Sequence, residues 1–200
     1  MLTGVLFGLV AVASLPVFTH ILALAFVSFA VLIITYDMLH TIIPDVWSYP
    51  YSVLALILGV MALPVYSFET IGYQVLAGIV TALPLFLMWF FSGGRWMGLG
   101  DAKLALSVGW LLGIGAGVIA LALAFVLGSI FIFGIVFPIL YLIHAFPTLF
   151  GFVARPRPAS LTMGSEVPFG PFIIASTVGA WMAAYYGFDI VAWYFATLLW

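Results

Sequence analysis

The sequence of 200 residues has no cysteine and very little charge. The absence of cysteine excludes disulfides and thiolate metal sites. Only 5% of the residues are charged, whereas a soluble domain carries about a quarter. Hydrophobic residues make up 67% of the chain. These proportions exclude a soluble globular domain and indicate an integral membrane protein, for which we expect the lipid bilayer and no nucleic acid as a partner.

Long stretches without Asp, Glu, Lys or Arg predict the membrane spans. A helix needs about 20 apolar residues to cross a bilayer, and five stretches are long enough: 1–36, 46–68, 70–94, 104–154 and 167–188. Proline, glycine and polar residues divide them further. We therefore predict an all-α bundle of six or seven transmembrane helices in a single membrane domain, 1–200, with an interfacial tail at 188–200. The predicted helices cover residues 2–15, 21–37, 47–66, 71–91, about 101 to the glycine-rich run 113–117, 118–143 and 168–187.

The positive charges are confined to loops that this threading places on one side of the membrane. An even number of spans separates loops 38–46, 92–100 and 144–167. Arg95, Arg155 and Arg157 lie in these loops, and Lys and Arg are enriched in cytoplasmic loops. The pattern predicts that this side faces the cytoplasm.

Two acids, Asp37 and Asp101, fall near helix ends on that same side. Ionisable groups at membrane depth are costly and mark functional sites, although either acid alone could be solvated at the interface. Two close carboxylates do not both ionise easily, so one holds a proton while the other stays charged. The pair therefore predicts general acid–base attack of water on an amide bond, which needs no cofactor, metal or covalent nucleophile.

Gly98 and Gly100 precede the second acid in a G-x-G-D string. Because glycine has no Cβ, the backbone there could unwind and let another chain approach closely. The alternative is a plain loop before a helix, with Asp101 as its N-cap.

Three motifs follow one another in a specific order: YDMLHTIIPD at 36–45, GLGDAKLALSVGWLLG at 98–113 and VPFGPF at 167–172. Together they resemble the type IV prepilin peptidases, which are polytopic aspartyl proteases of the GxGD class. The resemblance covers roughly residues 21–187 and is to the short members that lack a methyltransferase region. It implies that Asp37 and Asp101 are the catalytic pair. The other motif positions that it implies lie at or beside a substrate groove: Pro44, Asp45, Gly98, Gly100, Lys103, Pro168, Phe169, Gly170 and Pro171.

The resemblance also implies a substrate and a location. The substrate would be a prepilin-like precursor (a pilin, pseudopilin or archaellin), whose short basic leader is removed after a small residue at the cytoplasmic face of the cell membrane. The motifs do not choose among these substrates, and they leave the oligomeric state open.

Two of the motif residues can also be explained by a purely structural role. Asp45 is expected to cap the start of a helix rather than to act as a third catalyst. Lys103 points to a different helix face from Asp101 and is expected to anchor in the headgroups, or else to help keep the pair ionised.

Two alternative functions stay open. One is an intramembrane protease like presenilin and signal peptide peptidase, which also uses Y-D and G-L-G-D. The other is a proton-coupled transporter, for which acids at the bilayer midplane would be expected.

Overall fold

A computed structural model describes residues 2–13, 15–145, 168–189 and 191–192. Within these residues the chain is helical and contains no strand, which confirms the predicted all-α fold. The elements are α1 (Leu2–Val12), α2 (Val17–His40), α3 (Asp45–Met61), α4 (Phe68–Ser92), α5 (Leu99–Phe131), a π-helical turn (Ile132–Val136), α6 (Phe137–Ala145) and α7 (Gly170–Tyr185).

Three helical segments are long and apolar enough to cross a membrane: Val17–His40, Phe68–Ser92 and Leu99–Ile139. Shorter apolar helices cover Thr3–Val12 and Asp45–Met61. Large apolar side chains are exposed around the bundle, as on Phe68, Phe91 and Phe133, and in lipid such side chains are in their preferred solvent. The chain is an integral membrane protein.

Helix α5 lies at the centre of the bundle and packs against α3, α4 and α7. Glycines allow this close packing, because a Cβ on Gly109 would overlap Ala77 and Thr81 of α4. Likewise, a Cβ on Gly78 would overlap the Trp110 ring. Small residues are the usual means by which membrane helices approach one another closely.

The third apolar segment is bent back on itself at Gly113, which has φ 77° and ψ −179°. A Cβ placed on Gly117 would lie only 3.3 Å from the Cα of Gly109, whereas residues eight apart on a straight helix are separated by about 12 Å. The arms 99–112 and 114–131 therefore run side by side. The helix end predicted at the glycine-rich run is confirmed.

Several other predicted helix ends are wrong by one turn. Helix α2 starts directly after Pro16 and continues to His40, so Asp37 lies one turn inside the helix instead of closing it. Nothing before Pro44 prevents this extra turn, which ends where Thr41 adopts a left-handed conformation (φ 54°) and donates its N–H to the Asp37 carbonyl.

Helix α3 begins at Asp45, because Pro44 sets the helix start, and it ends at Met61, ahead of Pro64. Helix α4 begins at Phe68, because Ser67 and Thr70 form a capping box.

The remaining differences between predicted and observed helix bounds concern α1, the predicted helix 118–143 and α7. Helix α1 stops at Val12 rather than at residue 15, four residues before Pro16. The predicted helix 118–143 contains the π-helical turn and reaches Ala145, and α7 covers Gly170–Tyr185. Residues 146–167, with Arg155 and Arg157, and most of the predicted tail lie outside the described residues.

Candidate active site

Three parts of the chain meet at one end of the bundle: the last turn of α2 with the connection to α3, the first turn of α5, and the start of α7. The side chain of Ile43, in the connection, contacts the positions of both Gly100 and Gly170. The α2–α3 connection and the α4–α5 connection therefore lie at the same end of the bundle as the start of α7, which agrees with the predicted threading.

Asp37 is buried among these elements, with only 3% of its surface exposed. Its Oδ2 accepts a hydrogen bond of 3.0 Å from the backbone N–H of Gly170. The first N–H groups of a helix have no partner within the helix, so the carboxylate satisfies one of those of α7. The positive end of the helix dipole also favours a carboxylate there.

Asp101 is the third residue of α5 and is partly buried. Its carboxylate lies beside Gly98. The preceding residue, Gly100, packs against Ile43, which also reaches Gly170 at the Asp37 carboxylate. The two acids, 64 positions apart in the sequence (101 − 37), are thus brought together at one end of the bundle.

The two glycines of the G-x-G-D string differ. Gly98 is the N-cap residue of α5 with an ordinary φ of −73°, and a Cβ there would lie 3.6 Å from Asp101 Oδ2, a normal contact. Gly100 lies within the helix, and a Cβ there would come within 2.9 Å of the Ile43 Cβ. Gly98, rather than Asp101, is the N-cap residue, so the alternative with Asp101 as N-cap is wrong. Gly100 is helical here, and unwinding of this turn to admit another chain stays a prediction. The close packing at Gly100 is with Ile43 of the same chain, and the close approach of another chain stays a prediction.

Gly170 has even less space than Gly100. A Cβ at this position would lie 2.7 Å from Asp37 Oδ2 and 3.2 Å from Ile43 Cδ1. Ile43 is thus a site residue to which the sequence analysis gave no role, although it begins the Ile-Pro-Asp string. Its only signal was that place in the motif.

Asp45 and Lys103 form an ion pair, with 2.6 Å between Lys103 Nζ and Asp45 Oδ1. The expected cap is wrong: Pro44 is the N-cap residue of α3, in an extended conformation, and no side chain caps this end. The ammonium group of Lys103 thus has a protein partner, and it lies 5.3 Å from the centre of the Tyr49 ring. Its anchoring in the headgroups stays a prediction.

Aromatic side chains hold the start of α7 in place. Phe169, the N-cap residue, packs against Phe125 of α5 with 4.8 Å between ring centres, and Phe172 packs against Phe131. Pro168 precedes the helix and Pro171 lies in its first turn, where proline is tolerated. These residues border the carboxylate end, and their contact with a substrate remains a prediction.

An apolar groove on another side of the bundle contains neither carboxylate. It runs between α4 and α5 and includes the Lys103 stem; its lining residues are Ile79, Ala82, Leu83, Phe86, Leu99, Ala102, Lys103 and Leu106. In the part of the chain that the structure describes, no three His, Asp or Glu side chains are grouped so as to hold a metal ion.

The fold and the site define a class of protein: a helical membrane protein with two neighbouring carboxylates at one end of its bundle. Residues 24–135, more than half of the chain, match the model of the type IV leader peptidase family, and the chain belongs to that family. It is therefore a protease of the leader peptidase type. The match contains Asp37 and Asp101 and ends before α7. Comparisons with curated proteins and with solved structures gave no significant match.

Proposed function

We propose that this protein is an aspartyl endopeptidase that removes the short basic leader from prepilin-like membrane precursors, with Asp37 and Asp101 as its catalytic pair. The observation that carries the proposal is that a buried Asp37, held by the N–H of Gly170, lies at the same end of the bundle as Asp101, with Ile43 in contact with both helix starts. Membership of the leader peptidase family supports it independently.

The chemistry that we propose requires one ionised and one protonated carboxyl group. The ionised carboxylate takes a proton from a water molecule as the water oxygen attacks the peptide carbonyl carbon. The protonated group gives its proton to the carbonyl oxygen, and a tetrahedral intermediate forms. As the C–N bond breaks, the leaving nitrogen receives the proton that the first carboxylate took from water, and the other carboxylate takes a proton from a hydroxyl group of the intermediate, which becomes the new carboxyl terminus.

The depth of the site supports cleavage at the boundary between leader and apolar helix. Both carboxylates lie within a turn or so of a helix end, where a chain leaving the bilayer would pass. The presenilin-like alternative would cut within the apolar helix of the substrate, and a transporter would be expected to hold its acids near the midplane. A mass spectrum of the products separates the two proteases: cuts inside the apolar helix would favour the presenilin-like one.

The orientation follows from the positive-inside tendency, with the carboxylate end in the cytoplasm. Because the chain has no cysteine, single cysteine substitutions report on the orientation without labelling at other sites of the protein. Arg95→Cys lies at the carboxylate end and Val65→Cys at the opposite end. In intact cells an impermeant maleimide should label only the Val65→Cys protein, and labelling of Arg95→Cys instead would reverse the orientation.

The decisive test replaces each acid separately by its amide. Asp37→Asn and Asp101→Asn keep the size of the side chain but cannot cycle a proton, so we expect no detectable cleavage of a prepilin-like peptide in detergent or liposomes. Glu69→Gln, exposed at the opposite end, is the matched control and should cleave normally. Thermal melting confirms that the variants are folded. Cleavage activity retained in either Asp37→Asn or Asp101→Asn would refute the proposed mechanism.

A further inference from the structure

We propose that the ion pair between Asp45 and Lys103 is a positioning device that holds the first turn of α5, and with it Asp101, in register with Asp37. This inference rests on the proposed function, because it concerns the spacing of the catalytic pair. In this role Asp45 and Lys103 act on the reaction through Asp101 and do not contact the reacting atoms.

The pair connects the two segments that carry the carboxylates. Asp45 is the first residue of α3 and follows Asp37 by eight positions across a short connection. Lys103 follows Asp101 by two positions in the first turns of α5. The 2.6 Å contact thus joins residues 58 positions apart and bridges α3 and α5 beside the site.

Lys103 is placed to act from outside the site. Two positions along a helix correspond to a rotation of about 200°, so Lys103 and Asp101 project from different faces of α5. The stem of Lys103 lines the apolar groove between α4 and α5. Its side chain is 22% exposed, against 55% for Asp45. Without Asp45, the ammonium would lack its partner at an apolar surface, where an uncompensated charge is costly.

The ion pair complements a second contact beside Asp101, between Ile43 and Gly100, in orienting the first turn of α5. Ile43 lies against Gly100, one residue before Asp101, while Asp45 holds Lys103, two residues after it. Asp101 therefore lies between two attachments, one to the α2–α3 connection and one to the first residue of α3. The Ile43 contact is apolar and has no directional bond, so loss of the ion pair would leave packing alone to set the fine orientation of the first turn of α5.

Partly exposed ion pairs contribute little to global stability, so a positioning role predicts a kinetic effect with little change in melting. A displacement of about 1 Å at a reacting group costs up to about 100-fold in rate. We therefore expect Lys103→Met and Asp45→Asn each to lower kcat by about tenfold or more with KM nearly unchanged. Arg95→Gln, which removes an exposed cation at the same end, is the matched control and should keep its kcat.

The charge swap tests the pair itself. The double variant Asp45→Lys with Lys103→Asp should recover most of the kcat lost in the single variants, because it restores the attraction. A swap no better than the worse single variant would overturn the proposal. If the swap fails to fold, Lys103→Arg decides: it keeps the ion pair, so near-normal kcat supports positioning, whereas a loss as large as that of Lys103→Met overturns it.

The outcomes also separate this proposal from the proposed function. Inactive Asp37→Asn and Asp101→Asn proteins together with a normal kcat in both single variants of the pair would refute the positioning role alone. A raised KM with unchanged kcat in Asp45→Asn would also refute it, because Asp45 would then bind the basic leader directly. Active dyad variants would refute the catalytic assignment first.

Discussion

The connection between α2 and α3 and the one between α3 and α4 are both short, yet they are held in different ways. In the α3–α4 connection, the side chains of Ser67 and Thr70 bond to each other's backbone, Thr70 also bonds to the Val65 carbonyl, and Tyr66 bonds to the Met61 carbonyl. All of these partners lie within five positions along the chain.

The α2–α3 connection makes its important contacts with residues far away in the sequence. Ile43 touches Gly100 and Gly170, and directly after the connection Asp45 pairs with Lys103. A connection whose bonds are all local only reverses the chain, whereas the α2–α3 connection sets the positions of other helices. Substitutions around the α2–α3 connection should therefore affect catalysis, and those in the α3–α4 connection should affect stability alone.

The largest effect is expected at Gly170, where the α2–α3 connection meets α7. In Gly170→Ala the new methyl group would push against Asp37 Oδ2 and Ile43 Cδ1, and the carboxylate would lose its hydrogen-bonded position. We expect kcat to fall by about 100-fold. The measurement is peptide cleavage at saturating substrate.

The control for this substitution lies on the same helix. Gly179 has open space around its Cα, so Gly179→Ala should leave cleavage unchanged and favour the helix slightly. Equal activity in the Gly170→Ala and Gly179→Ala proteins would mean that Asp37 does not depend on the start of α7.

A smaller effect is expected at Gly100, and it separates the two glycines of the G-x-G-D string. Gly100→Ala would press on the Cβ of Ile43, which belongs to a stiff branched side chain, whereas Gly98→Ala makes only a normal contact. We expect Gly100→Ala to lower kcat by about tenfold and Gly98→Ala to lower it much less. The reverse order would show that the backbone freedom of Gly98, rather than the space at Gly100, is what the site needs.

The smallest effect is expected in the α3–α4 connection. Ser67→Ala removes one half of the capping box and should lower the free energy of unfolding by about 1 kcal/mol. Because its contacts are local, kcat should not change. Thermal melting in detergent together with the cleavage assay tests both statements. A lower kcat in a folded Ser67→Ala protein would contradict the statement that the α3–α4 connection affects stability alone.

Much of the fold could be predicted from the sequence, because its signals are local. Uninterrupted apolar stretches predicted the helices, and the glycine-rich run predicted the reversal that occurs at Gly113. The end of α2 was misplaced because a threonine in the left-handed conformation stops it. Threonine carries no recognisable signal for that conformation, unlike glycine or asparagine.

The acids of the site were predictable because they are unusual side chains in an apolar chain, and its glycines and prolines were predictable only through the family motifs. Asp37 and Asp101 were recognisable as acids in an apolar chain, and the threading placed them at one end. The hydrogen-bond donor to Asp37 is a backbone N–H. Nearly every residue has such a group, so the sequence does not show which one donates. Asp45 and Lys103 each had an adequate local explanation, as a cap and as an interfacial anchor, and an ion pair across 58 positions leaves no periodic trace.

The bond from Gly170 to Asp37 also determines the order in which the site can be assembled during synthesis. Both acids, Ile43 and Lys103 precede α7 in the chain by tens of residues, and even the family match ends at residue 135. A nascent chain inserted as far as α6 already holds both carboxylates, but the N–H of Gly170, which donates to Asp37, has not yet been synthesised. The helix that completes the site is thus translated after the segments that carry the two carboxylates, so the site cannot form fully until α7 has been inserted.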